Sequence, residues 1–76
     1  MTVYQSTNLA MRMEYDSNNN AIYVAEGKPG ANDASIAWRI KKITYDVNNN
    51  ATHIKWASGT PKFNKSWDDR TTYTYS

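Results

Sequence analysis

The chain has 76 residues, no cysteine and a formal net charge of +2. That length suffices for one domain, and the lack of cysteine excludes a disulfide framework and a thiolate metal site. A domain this small buries only about 60% of the surface its unfolded chain exposes. Stability must therefore come from elsewhere, and six Tyr, three Trp and one Phe point to aromatic packing or to burial against other subunits.

The charge is unevenly spread. Residues 1–38 carry Arg12 and Lys28 against Glu14, Asp16, Glu26 and Asp33, a net of −2. Residues 39–76 carry Arg39, Lys41, Lys42, Lys55, Lys62, Lys65 and Arg70 against Asp46, Asp68 and Asp69, a net of +4. Opposite-sign halves suit head-to-tail association, but on charge alone a mixed soluble surface is the preferred reading. No apolar run approaches the roughly 20 residues of a membrane span, so no membrane partner is expected. Residues 1–10 have neither the basic region nor the apolar core of a secretory signal, and folding in a cytosol is expected. The triplets Asn50-Ala51-Thr52 and Asn64-Lys65-Ser66 match the glycosylation pattern but carry little weight without such a signal.

In chain order, residues 1–10 read as an N-terminal arm with a short strand near Val3 and Tyr4, and residues 11–76 as a single β domain. Strands are expected near 11–16, 21–26, 35–46, 51–57 and 69–75, from their alternation and their β-branched and aromatic content. Lys28-Pro29-Gly30-Ala31-Asn32-Asp33 and Ser58-Gly59-Thr60-Pro61 read as loops. Phe63 to Asp68 reads as a short helical turn with Phe63 and Trp67 on one face. Within residues 35–46 the apolar phase slips: Trp38 and Ile40 share one parity, Ile43 and Tyr45 the other. A β-bulge at Lys41-Lys42 explains the slip, as does a strand partly covered on both faces.

The chain repeats itself. Tyr15-Asp16-Ser17-Asn18-Asn19-Asn20-Ala21 recurs as Tyr45-Asp46-Val47-Asn48-Asn49-Asn50-Ala51, six of seven positions matching at an offset of 30. Asp and Asn bond their own backbone through short side chains, and Asn tolerates positive φ, so each copy reads as the turn of a β-hairpin. The expected fold is all-β: a small antiparallel sandwich or open barrel of five to six strands built from two similar β-hairpins. Trp38, Ile40, Ile54, Trp56 and Trp67 are its expected core.

Residues able to carry chemistry are few. His53, the sole histidine, stands beside Lys55 with no nucleophile or acid at useful spacing and reads as a surface imidazole. Asp68 and Asp69 are adjacent, so on a strand they point to opposite faces; a turn cap and a pair with Arg70 explain them. Gly27, Gly30 and Gly59 follow strands and form no phosphate loop. No enzyme activity, cofactor or metal is expected. A single-stranded nucleic-acid module is one rival, with Trp38, Arg39, Lys41, Lys42, Lys55 and Trp56 as stacking and phosphate-binding groups. The parity of Trp56 with Ile54 and the low net charge weigh against it. A glycan- or receptor-binding tip is another rival, although turn geometry alone explains the Asn runs.

The run Trp38-Arg39-Ile40-Lys41-Lys42-Ile43-Thr44-Tyr45-Asp46, then Ile54-Lys55-Trp56-Ala57-Ser58-Gly59, then Trp67-Asp68-Asp69-Arg70-Thr71-Thr72-Tyr73-Thr74-Tyr75 is similar to small proteins encoded among the structural genes of tailed bacteriophages. These are often called virion structural or tail-associated proteins. The resemblance spans about residues 13–76, and the Trp-Asp-Asp-Arg ending is its most specific part. The family tends to carry Gly-Asn in the hairpin turns, where this chain has Asn19-Asn20 and Asn49-Asn50; Asn also accepts the left-handed conformation. The resemblance brings no catalytic residue. It implies a multi-copy component of a symmetric assembly, bound to other virion proteins on capsid, neck or tail and located in the virion after synthesis in the host cytoplasm. The contact residues expected for that role are Val3 and Tyr4 of the arm, Tyr23 and Tyr73 as exposed aromatics, and the edge near Arg70.

Overall fold

The computed structural model describes residues 8–76. Four strands, β1 (Ala10–Tyr15), β2 (Ala21–Gly27), β3 (Trp38–Tyr45) and β4 (Ala51–Trp56), form one antiparallel sheet in the order β1-β2-β3-β4. The fold is all-β, but four strands stand among the described residues in place of the expected five to six, and they make one sheet. Residues 69–75 are not a strand. They come after a 3₁₀ turn at Trp67–Asp69, and their one backbone bridge is the isolated one between Tyr75 and Ala57. The expected strand at Val3 and Tyr4 falls outside the described residues.

The two Asn-rich turns join β1 to β2 and β3 to β4, and they fold alike. In the first, the Asp16 carboxylate accepts the N–H groups of Asn18 and Asn20 at 2.8 and 2.9 Å, and Asn19 takes φ 63°. In the second, the Asp46 carboxylate accepts from Asn48 and Asn50 at 2.9 and 3.0 Å, and Asn49 takes φ 64°. The short acceptor side chain gathers backbone donors that would otherwise face only water, and Asn supplies the left-handed residue that the reversal needs. The meander places both turns at one end of the sheet, where Asn20 Nδ2 donates to Asn49 Oδ1 at 3.0 Å. Register irregularities fall next to these turns, between Glu14 and Tyr15 and between Thr44 and Tyr45. The expected bulge at Lys41-Lys42 is absent: both residues pair regularly with β2 and β4.

The parity slip in β3 has its other cause, a strand that carries apolar residues on both faces. Trp38 and Ile40 point to one face together with Ala25 and Tyr23, which pair alongside them or one step away. Ile43 and Tyr45 point to the opposite face and are half-buried. The first face holds the core: Tyr23, Ala25, Trp38, Ile40, Ala57 and Trp67. It is covered by the β2–β3 loop and by the C-terminal segment, which folds back as a clasp. The backbones of Trp38 and Lys65 exchange two hydrogen bonds of 2.9 Å, Asp68 N–H donates to Asp33 C=O at 3.0 Å, and Ser58 N–H donates to Thr74 C=O at 2.7 Å. Tyrosines secure the clasp through their hydroxyls. Tyr75 donates to Arg70 C=O at 2.7 Å, and Tyr73 accepts from Ser66 N–H at 2.9 Å. Every buried side-chain nitrogen and oxygen among the described residues has a partner, as a core of this kind requires.

Trp38 is the centre of the clasped face. It is fully buried, its indole N–H donates to Asn32 C=O at 2.8 Å, and the Arg12 guanidinium lies 5.2 Å from its ring. Its cross-strand partner is Gly27, and a Cβ built there would lie 2.7–2.8 Å from three indole carbons. Glycine is needed at this position so that the ring can lie flat across β2. Gly27→Ala is therefore expected to displace the indole and to cost about 1–3 kcal/mol, the usual penalty of overpacking; thermal unfolding followed by circular dichroism measures it. The turns yield a second expectation. Backbone donation from Asn50 and Asn48 holds the Asp46 carboxyl below its ordinary value of 3.8. A lowered folded-state value contributes stability above pH 3.8 that is lost as the pH falls through that lower value. The difference in melting temperature between the natural protein and Asp46→Asn should thus be largest near neutrality and shrink in acid below pH 3.8.

Candidate functional site

The sheet has two faces, and the clasp covers only one. On the other, alternation brings together Met11, Met13 and Tyr15 from β1, Ile22 and Val24 from β2, Ile43 and Tyr45 from β3, and Ile54 and Trp56 from β4. Register aligns Met13, Val24, Lys41 and Trp56 in one row across all four strands, with Ile43 and Ile54 paired in the next. Met11, Met13, Tyr15 and Ile54 are 47–62% exposed. Scattered exposed apolar residues are ordinary, but a contiguous apolar patch across a whole sheet is the mark of a surface that packs against something.

The charges on this open face lie at one end. Glu26 and Arg39 form an ion pair at 2.5 Å, with each side chain somewhat over a quarter exposed. The Arg39 guanidinium also lies 4.7 Å from the Phe63 ring centroid and 5.8 Å from that of Trp56, and Lys41 Nζ lies 5.3 Å from the Trp56 ring. Trp56 is consequently half-buried beneath cations, and Ile54 is exposed. Both were expected in the core, and β4 is the reason they are not. It is an edge strand whose apolar side turns away from the clasp. Phe63 and Trp67 likewise part company, Phe63 beside Arg39 and Trp67 in the clasped core, because no helical turn joins them.

The expected contact residues are dispersed. Val3 and Tyr4 lie outside the described residues. Tyr23, expected to be exposed, is 9% accessible and packs on Tyr75 with ring centroids 5.6 Å apart. Tyr73 is half-buried in the clasp. Arg70 is also half-buried: it pairs with Glu14 at 2.8 Å, and its guanidinium lies 4.5 Å from the Trp67 ring. Each of the three is used internally. The open face was missed because its residues were assigned inward; the parity slip between Ile40 and Ile43 was the signal that could have found it.

A second feature lies beyond the core on the clasped face. Lys42, Thr44, Lys55, Tyr73 and Tyr75 line a half-open pocket of about 270 Å³. Lys42 and Lys55 are direct cross-strand partners, and His53 stands two residues from Lys55, opposite Thr44. The Lys42 ammonium lies 5.8 Å from the Tyr23 ring. Burial, and then the neighbouring Tyr23 and Tyr73, push the Tyr75 phenol well above its ordinary value, so it stays neutral beside the lysines. His53 is exposed, with Nδ1 3.1 Å from Thr52 Oγ1. Asp68 and Asp69 open the 3₁₀ turn. Among the described residues no cluster of three or more His, Cys, Asp or Glu could hold a metal ion, and no helix is long and apolar enough to cross a membrane.

The two-faced sheet predicts a contrast. Trp38→Ala should cost about 3–5 kcal/mol and leave little folded protein, as deletion of a buried ring does. Ile54→Ala should change stability by no more than about 0.5 kcal/mol in dilute monomer, the range for surface substitutions. Urea unfolding of the two variants checks this, and equal losses would mean that the open face is covered from within the chain. Compared with protein-family models, with curated proteins and with solved structures, the chain matches none.

Proposed function

We propose that the protein is a structural part of a tailed-bacteriophage virion, present in many copies, and that its open sheet face packs against the same face of a second copy. One observation carries the assembly half of this reading, the apolar face made by Met13, Val24, Ile43, Ile54 and Trp56, which the described residues leave open except where Phe63 lies beside Arg39. The virion half rests on the resemblance of residues 13–76 to small phage structural proteins. An antiparallel sheet with one bare apolar face completes a core most simply by stacking on another sheet about 10 Å away. A two-fold contact requires a surface that complements itself, and this one meets the condition. Its ion pair, Glu26 with Arg39, is already formed, and its largest side chains are apolar. A four-stranded face about 19 Å wide and 20 Å long, from ordinary strand spacing and rise, gives roughly 760 Å² over two copies, below the roughly 1,200 Å² of interfaces stable on their own. Weak pairwise contact multiplied over many copies suits a symmetric assembly, whose members stabilise one another by mass action. Neighbouring virion proteins on capsid, neck or tail would complete the set of partners.

Trp56, half-exposed between Arg39 and Lys41, favours a second reading, a single-stranded nucleic-acid module. Glu26 neutralises Arg39, however, which leaves Lys41 as the one cation on this face without an acidic partner among the described residues. The expected results are concentration-dependent dimers in sedimentation velocity, their loss in Ile54→Asp with the monomer still folded, and stoichiometric recovery of the protein from purified virions. A protein that stays monomeric at high concentration overturns the pairing, and absence from virions overturns the virion assignment. Salt-sensitive binding of a single-stranded oligonucleotide that is lost in Trp56→Ala would favour the second reading.

A further inference from the structure

The pocket on the clasped face is independent of the open face and of the virion reading. Lys42 and Lys55 occupy directly opposed positions on β3 and β4. Opposed residues on antiparallel strands have Cβ atoms about 5 Å apart, and like charges placed so are destabilising. An anion between them would offset that repulsion, and the described residues place no acid within ion-pairing distance of either lysine. The three ion pairs among the described residues all use arginine: Arg12 with Asp33, Arg39 with Glu26 and Arg70 with Glu14. Asp16 and Asp46 are occupied by the backbone donors of their turns. Residues 1–7 contain neither Asp nor Glu. The two lysines line one concavity, whose other walls are Thr44, Tyr73 and Tyr75.

We propose that this pocket binds a doubly charged oxyanion, a phosphate monoester or inorganic phosphate. The charge count selects the ligand class. One carboxylate would answer a single lysine, whereas a phosphate monoester, carrying about −1.5 to −2 at neutral pH, answers both. Lysine serves here as a point charge on a flexible stem, the manner in which it commonly meets phosphate. Thr44 adds a hydroxyl that donates to a phosphate oxygen, and the tyrosine rings wall one side. The size of the pocket, about 270 Å³, fits a phosphate with a small organic group and is too small for a folded partner.

Titration with inorganic phosphate in low-chloride buffer, followed by amide chemical shifts, tests the proposal. Saturable shifts are expected at Lys42, Thr44, Lys55, Tyr73 and Tyr75 but not at Lys41 on the opposite face. Lys42→Gln and Lys55→Gln should each weaken binding on the order of tenfold, the loss of one charge-assisted contact. Each variant should fold and melt no lower than the natural protein without phosphate, since a like-charge contact has been removed, and each should lose the rise in melting temperature that phosphate gives the natural protein. Lys41→Gln should retain the natural affinity. A small phosphate monoester should bind as inorganic phosphate does. Shifts that do not saturate, equal affinity in all three variants, or binding of an oligothymidylate with none of inorganic phosphate would each overturn the assignment.

Discussion

A single sheet has two faces, and this chain has enough residues beyond its strands to cover one. The β2–β3 loop and the C-terminal segment both converge on Trp38, whose backbone pairs with Lys65, whose indole N–H is held by Asn32 and whose ring lies over Gly27. That burial anchors the rest. Where the clasp lies, Tyr23, Ala25, Ile40 and Trp67 become core. Where it does not reach, Met13, Ile54 and their neighbours stay at the surface although their side chains are as apolar as those inside.

The same geometry sorts the charges. The arginines sit where the clasp and the loops bring acids within reach. Arg70 crosses from the tail to Glu14 on β1, and Arg12 crosses from β1 to Asp33 in the loop. Both pairs hold the clasp on the sheet, although partly exposed pairs of this kind contribute modestly. Lys42 and Lys55 fall toward the end of the sheet that holds the turns, where Asp16 and Asp46 are already committed to backbone donors. An uneven charge along the sequence becomes an uneven charge in space, with a largely apolar face on one side and a basic pocket on the other.

Those two surfaces suggest different kinds of encounter. An apolar sheet face is suited to another sheet, with contact spread over many side chains and little selectivity for any one group. The pocket between Lys42 and Lys55 is suited to a compact anion, with selectivity set by charge and by the tyrosine walls. They lie on opposite sides of one sheet a single layer thick, and occupation of one leaves the other accessible.

The turns were legible in the sequence because their structure is local. Asp46 and Asn48 to Asn50 bond within their own five residues, so the heptad copy could be read as a copied turn, and the two copies fold alike. Strand positions were legible to within a few residues for the same reason. The fate of residues 69–75 was not, because Thr71 to Tyr75 have strand composition and only the tertiary hydrogen bonds of Tyr73 and Tyr75 hold them as a clasp. Which apolar parity faced inward was not legible either. Trp38 and Ile40 on one side, and Ile43, Ile54 and Trp56 on the other, present equally good stripes to a one-dimensional reading. Sequence alone determined an all-β chain with paired Asp/Asn reversals. Tertiary structure alone decided which stripe became core, because inside and outside depend on where the chain's far end returns, and that return is made by contacts between residues some thirty positions apart, such as Trp38 with Lys65 and Asp33 with Ser66 and Asp68.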